Sequence, residues 1–420
     1  MKAFKTLLLA VFCSLTSAAM AQKYVGGDIS LLTQYEEHGA TFLDQNGSPT
    51  GEMLPFLKSQ GLNAMRVRLF VDPTQASAAE KGEGVCQDLD YVKALGKRIK
   101  DAGLALMLDF HYSDTWADPV KQWTPAAWAA LGDADLEAKV YEYTKDALQQ
   151  MVDAGATPDF IQTGNEISYG MLWGTKGSEN LKKCYTDNDA NWTRFTNILK
   201  QAGAACREVC PQAAIVIHTE RVAKPSVLTA LYDRMASNGV DYDVIGLSYY
   251  PYYHGTLEAL DAVLTTLEGR FSDKNIMIVE TGYFHKWQPE SVDYDLSATY
   301  PITEDGQKAF TEALITTLCA HNKVNGLFWW WPEANEFGLD WNTKRVTDGW
   351  YNAGLWDNET GRALSALGVL SAFLADPAGI TAVEVAQQTD NRWFTLGGQR
   401  IEKPARSGVY INHQRKVVVK

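Results

Sequence analysis

The sequence predicts an α/β fold of the (β/α)8 TIM-barrel class, with a short β-patterned tail, on three observations. Eight short strand-like runs lie between residues 24 and 330. Most are continuously apolar rather than alternating, as parallel strands covered on both faces must be. Helical patterns fill the intervals, and several stop at a glycine immediately before the next strand. An open doubly wound sheet is the alternative; it usually has fewer strands, and the Gly-rich dinucleotide fingerprint is missing.

In chain order the runs are "YVGGDIS" (24–30), "AMRVRLF" (64–70), "ALMLDFH" (105–111) and "DFIQTGNE" (159–166), then "AAIVIHT" (213–219), "VIGLSYY" (244–250), "NIMIVETG" (275–282) and "VNGLFWW" (324–330). The patterns "YVKALGKRIKDAG" and "KVYEYTKDALQQMVDAG" predict the helices that lead into the third and fourth strands. Before the barrel, "MKAFKTLLLAVFCSLTSAAMAQ" has two lysines, an apolar run and Ala19-Met20-Ala21. This reads as a secretory signal peptide over 1–21, which predicts an exported protein in the periplasm, at the cell surface or outside the cell. No stretch is long enough for a spanning helix. The catalytic domain is expected over 22–375. The segment 376–420 has β-patterned pieces around "GG", "KP" and "SG". It resembles the C-terminal sorting tails of exported proteins from Gram-negative bacteria, and a small β-appendage with no role in export is the alternative.

The chain has 38 basic and 51 acidic residues, a formal charge of −13, which argues against nucleic acid or an anionic membrane as partner. Thirteen Trp and 19 Tyr offer flat faces with polar handles, the surface that stacks on sugar rings. Cys86, Cys184, Cys206, Cys210 and Cys319 remain after the leader, an odd number that leaves at least one free thiol. Pairing among Cys184, Cys206 and Cys210 stays open. HExxH, Ser-His-Asp and P-loop patterns are absent, so no metal and no cofactor are expected, and the chain is expected to be a monomer.

Barrel enzymes place their chemistry at the C-terminal strand ends. Here those ends carry Arg66 and Arg68, "DFHYSDTW", Asn165-Glu166, His218, Tyr249-Tyr250, Glu280 and Trp329-Trp330-Trp331. Glu166 and Glu280, on strands four and seven, face each other across the predicted mouth. Paired carboxylates suit glycoside hydrolysis, one protonated as acid and one ionised as nucleophile or base. Tyr249 or Tyr250 and the arginines are placed to keep Glu280 ionised.

The "NE" after strand four and the "VET" of strand seven look like the acid/base and nucleophile signatures of retaining (β/α)8 glycosidases. Within that clan, "MRVRLFVDP" (65–73), "LDFHYSDTWADPVKQWTPAAW" (108–128), "TGNEISYGMLW" (163–173), "DYDVIGLSYYPYYHGTL" (241–257) and "GLFWWWPEAN" (326–335) resemble glycoside hydrolase family 53, the endo-β-1,4-galactanases. The resemblance runs from about Tyr24 to Leu374. It implies Glu166 as acid/base, Glu280 as nucleophile and a β-1,4-galactan substrate. It also implies Arg66, His111, Asp114, Trp116, Asn165, Tyr250 and Trp330 at the sugar sites, to which the strand-end reading adds His218. Two features depart from the family pattern. Trp331 stands where a carboxylate is common in Tyr-Trp-Glu-Pro, and the loop after Glu280 lacks the calcium-binding sequence of some bacterial members. A catalytically silent carbohydrate-binding barrel and a glycosidase of the same clan with another β-linked substrate are the alternatives. A phosphate-substrate barrel would want a Gly-rich site after strands seven and eight, where this chain is aromatic and acidic.

Overall fold

A computed structural model describes residues 22–185, 188–340, 342, 345–349 and 351–375, together with four strand segments of the tail. The proposed leader, 1–21, lies outside the described residues. Eight strands close into a barrel in sequence order: β1 (Tyr24–Asp28), β2 (Ala64–Leu69), β3 (Ala105–Phe110), β4 (Phe160–Thr163), β5 (Ala214–Thr219), β6 (Val244–Tyr249), β7 (Asn275–Thr281) and β8 (Val324–Trp330). All pairings are parallel, and the ring closes where β1 lies beside β8, Tyr24 opposite Gly326 and Asp28 opposite Trp330.

The strands are buried on both faces for different reasons. Outward-facing aliphatic residues join one large core with the helices; in the helix Leu89–Asp101, Val92, Leu95, Gly96 and Ile99 form its buried stripe. Asp88 caps that helix by accepting from the Tyr91 N–H. The expected stops hold, with Gly103 and Gly155 at positive φ just past the two helices that precede β3 and β4. Inside the barrel, Ala64, Met107, Phe160, Val216, Val244, Met277, Val279 and Phe328 form a separate apolar plug. Two residues further along most strands, one layer up, the interior becomes polar, with Asp28, Arg66, Asp109, Gln162, His218 and Ser248 fully buried.

An irregularity in β7 positions one of the two glutamates. Leu247 pairs with Ile278 but Ser248 pairs with Glu280, so Val279 is an extra residue. The bulge lets Val279 join the plug while the next side chain, Glu280, turns to the polar end.

Among the described residues no helix is long and apolar enough to cross a membrane, and Cys86, Cys184, Cys206, Cys210 and Cys319 are all free thiols. The barrel belongs to a compact unit that ends at Leu374, and a second unit starts at Ala375. In that unit β9 (Trp393–Thr395), β10 (Arg400–Ile401), β11 (Gly408–Asn412) and β12 (Arg415–Val419) form one antiparallel sheet in the order β10, β9, β11, β12.

Candidate active site

Arg66, on β2, is the hub of the polar layer. Its Nη1 donates to Asp28 Oδ2 at 2.9 Å, and its Nη2 donates to Asp109 Oδ2 and Asn165 Oδ1, both at 2.8 Å. The same Nη2 lies 3.0 Å from Glu280 Oε1. A buried guanidinium needs this surround of anions and acceptors, because an unpaired charge there would be very costly. Asp109 also takes the Gln162 amide and lies 3.0 Å from His111 Nε2. Burial pushes the Asp109 carboxyl up, but Arg66 and then His111 pull it below the ordinary carboxylate range.

Glu166 follows β4 after Gly164 and has φ 47°, a left-handed backbone that a non-glycine residue adopts at a cost of about 1–3 kcal/mol. Its Oε1 accepts from Ser248 Oγ at 2.7 Å. Glu280 Oε2 accepts from Tyr250 OH at 3.1 Å and lies 3.5 Å from the same Ser248 hydroxyl. One oxygen of each glutamate and a His218 nitrogen all lie within 4.8 Å of one another. Burial raises both carboxyls, but unequally. Glu166 is raised well above the ordinary value by desolvation, then by the charges of Glu280 and Glu220. Glu280 is raised by desolvation to about 7, with Arg66 and Tyr250 holding it down. Arg66 and Tyr250 thus favour the anion on Glu280, while the neighbouring charges of Glu280 and Glu220 favour the protonated form of Glu166. Tyr249, the other candidate partner, donates to Gly255 O instead.

His218 is buried and its pKa is well below the ordinary value, chiefly through desolvation and then Arg66, so the ring is neutral. Its Nε2 is 2.8 Å from Ser248 Oγ. Its Nδ1 faces Asn165 Oδ1 at 3.0 Å and Gln162 Nε2 at 3.1 Å. Both nitrogens are thus engaged within the protein, so a metal held by Glu166, His218 and Glu280 would have to break these contacts.

Above this layer opens a cavity of about 1040 Å³ lined by Glu166, Glu280, Asn165, Tyr250, Trp116 and Trp330, among others. Four residues expected at the sugar sites do not line it. Arg66 is enclosed by its counter-ions; His218 stands behind Ser248; His111 accepts the Ala117 N–H at Nδ1. Asp114 spends its two oxygens on the Asp72 and Ala126 N–H groups, fixing two loops together. Tyr253 and Trp287 border an aromatic recess of about 330 Å³ shared with Tyr250 and Trp330.

Trp116, Trp330 and Trp331 surround the buried Arg68 guanidinium at 4.5, 5.3 and 5.3 Å from their ring centroids, a cation–π cage. Trp331, which replaces the family's carboxylate, has a carboxylate two residues on: Glu333 is fully buried and accepts the Leu31 N–H at 3.0 Å. Sequence reading missed Asp28, Asp109, Gln162, Ser248, Glu220 and Arg221. The signal for the first four was available, since a polar residue inside an otherwise apolar buried strand needs a partner.

Residues 24–370 match Glycosyl hydrolase family 53. The endo-beta-1,4-galactanase of Bacillus subtilis strain 168 is 31% identical over 317 residues, covering 73% of this chain and 69% of its own. The probable arabinogalactan endo-beta-1,4-galactanase A of Neosartorya fischeri is 32% identical over 368 residues, 81% of this chain and 96% of that one. The solved Ignisphaera aggregans GH53 catalytic domain is similar with a TM-score of 0.71 at 33% identity, covering 83% of this chain and 95% of its own. With strand-end glutamates in one cavity and a match that spans the whole barrel, the chain belongs to glycosyl hydrolase family 53.

Proposed function

We propose that this protein is an endo-acting β-1,4-galactanase that cleaves galactan and type I arabinogalactan by double displacement with retention. The observation that carries the mechanism is the closeness of the two glutamates, with oxygens within 4.8 Å. Retaining glycosidases hold their carboxyl groups about 5–5.5 Å apart, and inverting ones about 6.5–9.5 Å to admit a water. Glu280 attacks the anomeric carbon, its charge held by Arg66 at 3.0 Å from Oε1 and by the Tyr250 hydroxyl at 3.1 Å from Oε2. Glu166, which holds its proton, gives it to the glycosidic oxygen as the C–O bond breaks. In the second step Glu166 takes a proton from water, which releases the sugar from Glu280. Asn165 Oδ1 is held by Arg66 and its Nδ2 donates once, to Ala117 O at 2.8 Å. The second amide hydrogen is free for the hydroxyl beside the anomeric carbon. The resemblance to relatives named galactanases supports the substrate class, and the leader read over 1–21 supports export to reach a polymer.

Incubation with β-1,4-galactan, arabinogalactan, β-mannan and cellulose, followed by product sizing, tests this reading. Graded oligosaccharides are expected from the first two only; activity confined to mannan or cellulose would move the chain to another substrate. Proton NMR is expected to show a β-product first, and an α-product would overturn the double displacement. Glu166→Ala should lose about 10²–10⁴-fold on galactan and regain turnover of an activated aryl galactobioside with azide, forming a β-azide. Rescue of Glu280→Ala instead, with an α-azide, would exchange the two roles.

A further inference from the structure

Behind two tryptophans of the cavity wall stands a third that is not part of its lining. Trp116 and Trp330 line the cavity, and Trp330 also lines the aromatic recess beside it; Trp331 lines neither. Side chains alternate between the faces of a strand, so Trp331 should point away from the mouth once Trp330 has ended β8. Instead its backbone turns into the left-handed region at φ 47°, a conformation that is costly for a non-glycine residue. The turn stacks the two neighbouring indoles at 5.6 Å, with 14° between their planes. Trp331 also lies 6.1 Å from the Trp116 ring and meets the Tyr351 ring edge-on at 5.3 Å. Its indole N–H has no hydrogen-bond partner, so its hold on the wall is through the ring.

Arg68 joins these rings. Its guanidinium is fully buried and hydrogen-bonded through Nη1 to Asp28 Oδ1 at 3.0 Å, while Nε and Nη2 have no partner. The centroids of Trp116, Trp330 and Trp331 lie 4.5, 5.3 and 5.3 Å from it. An arginine stays charged, and a desolvated cation attracts a ring face within about 6 Å. A ring that swung aside would forfeit that attraction with no water to replace it. The planes of Trp116 and Trp330 are therefore set before any ligand arrives, which lowers the ordering cost of binding.

We propose that Trp331 is a positioning residue for sugar binding: with Arg68 it fixes the planes of Trp116 and Trp330, against which a neutral pyranose of the substrate stacks. This rests on the galactanase reading. An indole face suits the apolar C–H groups of a neutral sugar. Arg68 is linked to Glu280 through Asp28 and Arg66, so a change at Arg68 would disturb chemistry and binding together. Trp331 stands outside that chain of ion pairs, which makes it the position to vary.

The test measures galactotriose affinity by calorimetry in Glu280→Gln protein, in which no sugar turns over, alone and combined with Trp331→Phe or Trp331→Leu. Trp331→Leu removes the ring and should weaken binding about tenfold; Trp331→Phe, which keeps a smaller ring face, should weaken it about threefold. With both glutamates intact, the limbs of the pH profile of kcat/KM should stay in place in either variant, and circular dichroism should lose the exciton signal of the stacked indoles. A lower melting temperature with unchanged affinity would make Trp331 a packing residue only and overturn the inference. Weaker binding with a displaced pH limb would place the effect on the glutamates and overturn it as well. Should Trp331→Leu fail to fold, Trp331→Phe decides: loss of the exciton signal with unchanged affinity overturns the inference. Protein that neither binds galactotriose nor cleaves galactan would overturn the galactanase reading and this role with it. Galactan cleavage with affinity unchanged across the series removes this role alone.

Discussion

Glu280 is the residue on which burial and charge compete most directly. Desolvation drives its proton affinity up, and Arg66 at 3.0 Å and the Tyr250 hydroxyl at 3.1 Å oppose that drive. Tyr250→Phe removes one of the two, and a hydrogen bond to the charged form lowers a pKa. The sign follows: without it Glu280 holds its proton to higher pH, so the acid limb of kcat/KM should move up from near pH 7. Turnover should also fall about tenfold or more. A pH–rate profile checks both, and an unmoved acid limb would show that Tyr250 does not hold the anion. The glutamates themselves were legible in the sequence because each ends a strand, where a charge in an apolar run stands out. Their supporting residues were less so. Ser248 touches both carboxylates, and Gln162 and Asp109 fix Arg66, but each sits inside a strand where only its polarity marks it. Asp114 has the opposite lesson: its motif marks it as functional, and its two backbone partners in separate loops emerge only in three dimensions.

At the scale of elements, the strands and the helices that feed β3 and β4 follow from local pattern, but the register of β7 does not. A one-residue bulge leaves no signature in "NIMIVETG", yet it decides that Glu280 faces the mouth. Loop positions escape sequence for a related reason: Leu31 N is satisfied by Glu333, and Leu43 O by the Trp356 indole, partners some three hundred residues away. The tightest constraint lies in β1. A Cβ on Gly26 would come 1.6 Å from Ala64 O, the backbone of the paired strand, which has no room to yield. Gly26→Ala should therefore cost more than about 4 kcal/mol, seen as insoluble protein or a collapsed melting temperature. Gly269, in the helix Leu257–Arg270, is the contrast, since its Cβ would meet nothing. Ala there should stabilise by up to about 1 kcal/mol. A Gly26→Ala protein that melts like the wild type would mean that β1 and β2 can pair at a different separation.

For the molecule as a whole, no single stretch of chain contains the site. Asp28 comes from the first strand, Arg66 from the second, Glu166 from the end of the fourth, Glu280 from the seventh and Trp330 from the last. Asp28 grips both Arg66 and Arg68 and is paired in the sheet with Trp330. The earliest strand of the chain must therefore wait for the latest before the arginines and the aromatic wall meet. Contacts of such sequence separation form slowly. Refolding from denaturant should accordingly restore far-UV circular dichroism well before galactan turnover. Recovery of both in one phase would show that ring closure is not the late event. The join between β1 and β8 would thus act as a timer: a chain that has formed β1 to β7 carries both glutamates but lacks Trp330 and the closing strand, and should stay inactive until the ring shuts.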